Sequence, residues 1–260
     1  LAGFEVIGML NEPSAAGIEY AQRYRSVDLT RRREHMVIYD LGGGTFDVAV
    51  IRMTENQHEV IASEGISRLG GDDLDELLLD LALSDPVVPA GLYAVSRPRL
   101  LQLCREAKES INPNSRKIVV DFWQVDPERG EVMVPVAAFY EQCAPLILRT
   151  IHATETAMQT GLGSADGDAT GLASVYLVGG SCELPVLARS LRERIGKRVR
   201  RSPYPSGATA IGLAIAADQE KFPGKPITIV VPYEAGGGGD VYSRVIQPYL
   251  KNKKDKTFLD

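Results

Sequence analysis

Apolar positions along this chain fall into short runs broken by glycine, proline and charged stretches, and their spacing alternates between strand and helix periods. Phe4 to Leu10 predicts a short strand, and Asn11-Glu12-Pro13-Ser14 opens a helix with a cap residue and a proline in its first turn, running to about Arg25. The charged stretch Ser26 to Glu34 predicts a loop. Met36 to Asp40, Phe46 to Ile51 and His58 to Ser63 predict three strands, the first two joined across Leu41-Gly42-Gly43-Gly44-Thr45, which suggests an antiparallel meander. A helix with an acidic first turn, suited to the helix dipole, runs from Asp72 to about Leu83. Residues 84–96, with Pro86, Pro89 and Gly91, predict a loop. The helix Pro98 to Ile111 carries its apolar stripe on Leu100, Leu101, Cys104, Ala107 and Ile111.

Further on, Lys117 to Trp123 and Glu131 to Val134 pair as a hairpin, and a long helix runs from Val136 to about Thr160. Gly161 to Gly171 is a small, polar turn. Ser174 to Val178 is a strand of the buried type ending in Gly179-Gly180, followed by a helix over Pro185 to Ile195 and a short strand near Val199. Gly207 to Ala217 is a small-residue helix suited to close packing. After Asp218 the texture changes. A proline-containing entry, a strand over Ile227 to Val231, the glycine loop 234–240, a helix over Val241 to Leu250 and a polar end place a junction near 218–224.

Composition adds exclusions. A 44% hydrophobic and 24% charged chain of 260 residues has enough apolar material for a sizeable core. A net charge of -5 gives no basic footprint for nucleic acid and no attraction to an anionic membrane, so neither is expected as a partner. Cys104, Cys143 and Cys182 are odd in number and unpaired in spacing, which argues against a disulfide framework or zinc site and fits a reducing, cytoplasmic setting. His35, His58 and His152 lack metal-ligand spacing. No apolar run reaches the ~18 residues a membrane span needs. Leu1 to Phe4 does not open a secretory signal, and a first residue other than Met makes the chain an expected fragment.

The chemistry concentrates in Asp40-Leu41-Gly42-Gly43-Gly44-Thr45-Phe46-Asp47. A strand delivers a carboxylate to its tip, three glycines let backbone N–H groups approach an anion without Cβ interference, and the Thr45 hydroxyl follows. This suits a magnesium-nucleotide site in which the carboxylate acts through metal-bound water. The same residues also make a plain hairpin turn with an acidic flank.

Four further motifs accompany it in order: Asn11-Glu12-Pro13-Ser14-Ala15-Ala16-Gly17 before it, then Gly70-Gly71-Asp72-Asp73, Arg105-Glu106-Ala107-Lys108 and Leu177-Val178-Gly179-Gly180-Ser181 after it. The set resembles the nucleotide-binding domain of the DnaK-type heat shock protein 70 family over residues 1–217. The resemblance implies the second lobe of an actin-like ATPase. Its fold is α/β, a ribonuclease-H-like mixed sheet with helices on its faces, with an inserted α+β subdomain over about 72–150 that caps the cleft.

It also implies ATP/ADP and Mg2+ as cofactors. Glu12, Asp40 and Thr45 take the catalytic places: Glu12 near the metal and attacking water, Asp40 on the metal side, Thr45 near the γ-phosphate. Asp40, and Glu12 through water, are the metal contacts. Gly42, Gly43 and Gly44 wrap the phosphates, Gly71 approaches the ribose, Lys108 contacts it, and Gly180 and Ser181 form the turn under the adenosine. Glu12 also reads as a plain helix-start carboxylate, and Lys108 as a solvated helix charge.

This sequence departs from the family at Glu183, where an arginine usually stacks on adenine, at Glu109, where many relatives have another adenosine contact, and at Ser206, usually acidic. A carboxylate gives no cation–π stacking. The first phosphate loop and catalytic lysine of lobe I have no counterpart here, so the expectation is ATP binding within a chaperone ATPase, little hydrolysis by this chain alone, and lobe I and co-chaperones as partners. Residues 222–250, within an appended βα segment over 218–260, resemble the start of a periplasmic receptor of the tripartite tricarboxylate transporter class, where a glycine loop and helix N-terminus hold a carboxylate. The alternatives are a non-catalytic actin-like scaffold, or a fusion carrying a partial carboxylate receptor.

Overall fold

A computed structural model describes residues 11–28, 34–53, 58–84, 90–123, 125, 127, 130–165, 171–196 and 198–219. The strand predicted at 4–10 and the elements predicted after 219 lie outside the described residues. In chain order the elements are α1 (Glu12–Asp28), β1 (His35–Leu41), β2 (Phe46–Met53), β3 (His58–Ile66), α2 (Gly71–Leu83), α3 (Ala90–Glu109), β4 (Lys117–Asp121), β5 (Glu131–Pro135), α4 (Val136–Leu162), β6 (Leu172–Val178), α5 (Pro185–Ile195), β7 (Val199–Arg201) and α6 (Ala208–Gln219). Short 3₁₀ turns sit at Gly180–Glu183 and Pro205–Gly207.

Two sheets form. The larger runs β3-β2-β1-β6-β7; its first three strands are the expected antiparallel meander, and β6 and β7 add in parallel to β1. The smaller pairs β4 with β5 as an antiparallel hairpin. Alternation along β1 sends Val37, Tyr39 and Leu41 to one face and Met36 and Ile38 to the other. The first face packs on α4 and α5 in an apolar cluster that continues through α2, α3 and the β4-β5 hairpin. The second face packs on α1 and α6 through Ala16, Tyr20 and Ala208. Tyr39, fully buried, sends its hydroxyl to Thr150 Oγ1 of α4 at 2.6 Å, and Thr150 donates onward to the Ile147 carbonyl, so both of these buried hydroxyls are satisfied.

Local chemistry explains the helix ends. Asn11 caps α1, its Oδ1 accepting the Ser14 amide at 2.9 Å. Gly163, at φ 72, ends α4 in the left-handed region, and its amide bonds the Gln159 carbonyl. Small residues let α1 and α6 touch: a Cβ on Gly212 would stand 1.7 Å from the Ala15 carbonyl oxygen.

Several boundaries differ from the sequence expectation. The predicted 84–96 loop is helical from Ala90 onward, and α3 continues through Pro98. Proline removes one backbone donor, and with Pro98 on the exposed face the helix accommodates it. The helix α1 extends to Asp28, into the predicted loop, and β3 continues past Ser63 to Ile66 because its pairing with β2 continues.

Candidate functional site

Strands β1 and β6 end side by side, with Asp40 in register with Val178. The carboxyl ends of parallel strands are where open α/β sheets place ligands. Beyond Val178 the chain turns at Gly179, whose φ of 85 lies in the left-handed region. A Cβ there would stand 2.3 Å from the Leu41 carbonyl oxygen and 2.5 Å from Asp40 Oδ1, so only glycine lets β6 pass the aspartate.

Asp40 is the electrostatic centre of this edge. Burial first, then the carboxylates of Glu12 and Asp47, push its carboxyl up to about 6. Asp47 is its direct cross-strand partner. Glu12, Asp40, Asp47 and Glu64 line one hollow of about 460 Å³, and none of the described residues that line it is cationic. Four carboxylates on one wall are the ligand type a hard cation takes. Among the described residues no three His, Cys, Asp or Glu side chains form a direct metal cage.

Asp40 also lines a second hollow, of about 390 Å³, with Gly42, Gly43, Gly71, Lys108, Gly180 and Ser181. The turn between β1 and β2 is built so that its carbonyls face the start of α2. The Gly42 carbonyl accepts from the Gly71 amide at 2.9 Å and from Ser181 Oγ at 2.8 Å. The Gly43 carbonyl accepts from the Asp72 amide at 2.7 Å, and the Gly44 carbonyl from the Leu69 amide at 3.2 Å. The amides of Gly43, Gly44 and Thr45 donate to no described residue. The Gly42 amide is occupied, donating to the Thr45 carbonyl at 3.0 Å, so Gly42 shapes the turn and its N–H does not face an anion as the sequence suggested. Packing here leaves no room for side chains: a Cβ on Gly70 would stand 2.3 Å from the Gly43 carbonyl oxygen, and one on Gly71 2.4 Å from Ser181 Oγ.

Lys108 departs from one of its two sequence readings. It is buried, its Nζ donates to the Gly71 carbonyl at 2.8 Å and lies 2.6 Å from Asp75 Oδ1, so it is no solvated helix charge. Asp75 also accepts from Arg105 Nε at 3.0 Å, and Arg105 reaches Asp72 as well. A larger cavity of about 1800 Å³ shares Lys108, Glu109, Gly180, Ser181 and Ser206 with the second hollow and adds Glu183 and Tyr140 to its walls. An extended ligand with an anionic head at the glycine turn thus has room for its body beyond Ser181.

Seven of the residues singled out in the sequence line this second hollow: Asp40, Gly42, Gly43, Gly71, Lys108, Gly180 and Ser181. Glu12 lies on the neighbouring hollow, joined to it through Asp40. Gly44 and Thr45 sit exposed at the tip of the turn, outside either lining. Two roles escaped the sequence reading: the close pass of Gly179, a residue of the quoted glycine motif, by Asp40, and the buried pairing of Asp75 with Lys108. Gly179 is marked by its place after a buried strand, and Asp75 by falling on the apolar stripe of α2 with Leu78, Leu79 and Ala82.

A mixed sheet with helices on both faces and a glycine-walled hollow at the ends of its parallel strands defines a ligand-binding α/β fold, consistent with the actin-like ATPases. The family model described as Hsp70 protein matches residues 1–223, and the chain belongs to the Hsp70 family. That family is one of ATP-binding chaperones. No helix among the described residues is long and apolar enough to cross a membrane.

Proposed function

We propose that this chain binds Mg-ATP and Mg-ADP as part of an Hsp70-type chaperone ATPase in the cytoplasm. The observation that carries the reading is the convergence on one hollow of a carboxylate (Asp40), the Gly43 of the glycine turn with its unengaged amide, and a buried ammonium (Lys108), the unengaged amides of Gly44 and Thr45 following at the exposed tip of the same turn. In this reading the amides of Gly43, Gly44 and Thr45 receive the phosphates, and the Gly71 turn and Lys108 face the ribose. Gly180 and Ser181 floor the nucleoside, whose base extends into the larger cavity. Asp40, with Glu12 across the adjoining hollow, orients water around the cation. Bound magnesium would supply charge neutralisation at the phosphate oxygens. In this reading Glu12 and the Thr45 hydroxyl would order the attacking water.

The described residues neutralise charge from one side of the phosphates. In-line transfer needs charge stabilisation around the whole phosphoryl group. In this reading lobe I is the partner that completes the clamp, and turnover is slow without it. Within the same proposal, residues 1–217 form the ATPase lobe, about 72–150 its inserted subdomain, and 218–260 an appended segment. Calorimetric titration of the full chain with Mg-ADP and Mg-ATP tests this. Saturable binding that Asp40→Ala abolishes is expected; absence of binding by the unsubstituted chain contradicts it.

A further inference from the structure

Asp75 does more than complement the dipole of α2. Its side chain is 1% exposed, and it grips two cations on α3: Lys108, itself 7% exposed, at 2.6 Å on Oδ1, and Arg105 at 3.0 Å on Oδ2. The Lys108 contact is an ion pair that falls outside hydrogen-bond angles, and among the described residues no other donor reaches that oxygen. The same ammonium donates to the Gly71 carbonyl at 2.8 Å, while the Gly71 amide holds the Gly42 carbonyl at 2.9 Å. A continuous chain of polar contacts therefore runs from Asp75 through Lys108 and Gly71 to the glycine turn.

A lysine ammonium has three N–H donors; one goes to the Gly71 carbonyl and Asp75 pairs with the charge without a hydrogen bond, so donor capacity remains for a ligand in the hollow that Lys108 lines. A buried ammonium without its carboxylate has a large incentive to swing its flexible stem toward water. That movement would take the donor out of the hollow and release the Gly71 carbonyl. We propose that Asp75 is a positioning residue of the nucleotide site, acting through Lys108 by fixing its ammonium between the Gly71 turn and the ligand. The proposal rests on the nucleotide reading above, and it assigns Asp75 no contact with the ligand itself.

A double-mutant cycle on the full chain tests it, with the dissociation constant for Mg-ADP as readout and thermal melting as a control for folding. Asp75→Asn keeps the shape of the side chain and removes its charge. Lys108→Met removes the ammonium and keeps the length of its stem. Each single substitution is expected to weaken Mg-ADP by about 10-fold or more. The double variant is expected to lose that same factor once, because without the ammonium Asp75 has nothing to position. A merely structural role for Asp75 would give multiplied losses, about 100-fold in the double variant, and would overturn the proposal; so would unchanged binding in Asp75→Asn. Should Asp75→Asn fold poorly, the Lys108→Met background relieves the unpaired buried charge, and the comparison of Lys108→Met with the double variant decides the outcome: equal affinities support the proposal and unequal ones overturn it. Failure of the unsubstituted chain to bind Mg-ADP would instead remove the nucleotide reading and this proposal with it.

Discussion

Replacing Asp40 with asparagine should strengthen the fold while destroying the site. The folded chain holds this carboxyl at about 6 against an ordinary value of 3.8, through burial and the neighbouring charges of Glu12 and Asp47. A carboxyl raised on folding binds its proton more tightly in the native state, so stability is greatest below the unfolded value, falls as pH rises through the interval up to about 6, and stays lowered above it. A gap of about two pH units corresponds to ~3 kcal/mol at most. Residual solvent contact reduces this to roughly 1–2 kcal/mol. For a chain of this size each kcal/mol moves the melting temperature by about 2–4 °C, so Asp40→Asn should melt about 2–8 °C above the unsubstituted chain at pH 8. The difference should shrink toward zero near pH 4, where both carry a neutral group. With Mg-ADP at ~100 times its dissociation constant the unsubstituted chain should gain ~2.7 kcal/mol, and the variant much less. Differential scanning fluorimetry across pH 4–8, with and without Mg-ADP, reads both effects. A variant that melts lower at pH 8, or a difference that does not change with pH, would refute the electrostatic reasoning.

Three other outcomes follow from the packing. Gly71→Ala would push a methyl against Ser181 Oγ and toward Lys108 Nζ, and should weaken Mg-ADP by about 10-fold; adding Ser181→Ala should recover part of the loss by calorimetry. Gly212→Ala forces α6 away from the Ala15 carbonyl, and chemical denaturation should show a loss of ~1–3 kcal/mol with the Mg-ADP enthalpy unchanged. Cys104, Cys143 and Cys182 are buried, with burial pushing the thiols of Cys104 and Cys143 up to about 12 and that of Cys182 higher still. A thiol reagent at pH 8 should therefore modify all three only as fast as the chain opens, with rapid reaction in denaturant.

Local signals in the sequence carried much of this. The meander and the carboxylate at the tip of β1 were legible because each depends on contiguous residues: a hydrophobic strand, a glycine break, another strand. The approach of Gly179 to Asp40 was not, because it depends on the parallel register of β6 with β1, which no local pattern encodes. Lys108 stood open between ligand contact and solvated charge for the same reason, since its partners Asp75 and Gly71 lie on another helix. The acidic first turn of α2 masked Asp75, because a carboxylate near a helix start has an adequate local explanation. Pro98 and Gly91 misdirected the start of α3, where local breaker signals yielded to the helix that packs beside α2. The Gly42 amide was misjudged because three successive glycines look alike until the hairpin engages one of them.

The claim on which the account depends is that polyphosphate and its metal settle on the turn after Asp40. Backbone amide spectra of the labelled chain, recorded during addition of Mg-ADP, would locate them residue by residue. The account predicts saturable shifts at Gly43, Gly44 and Thr45, joined by Gly71, Gly180 and Ser181, with the turn signals unmoved in Asp40→Ala. Shifts confined to other surfaces, or a turn that stays silent while nucleotide binds, would contradict it.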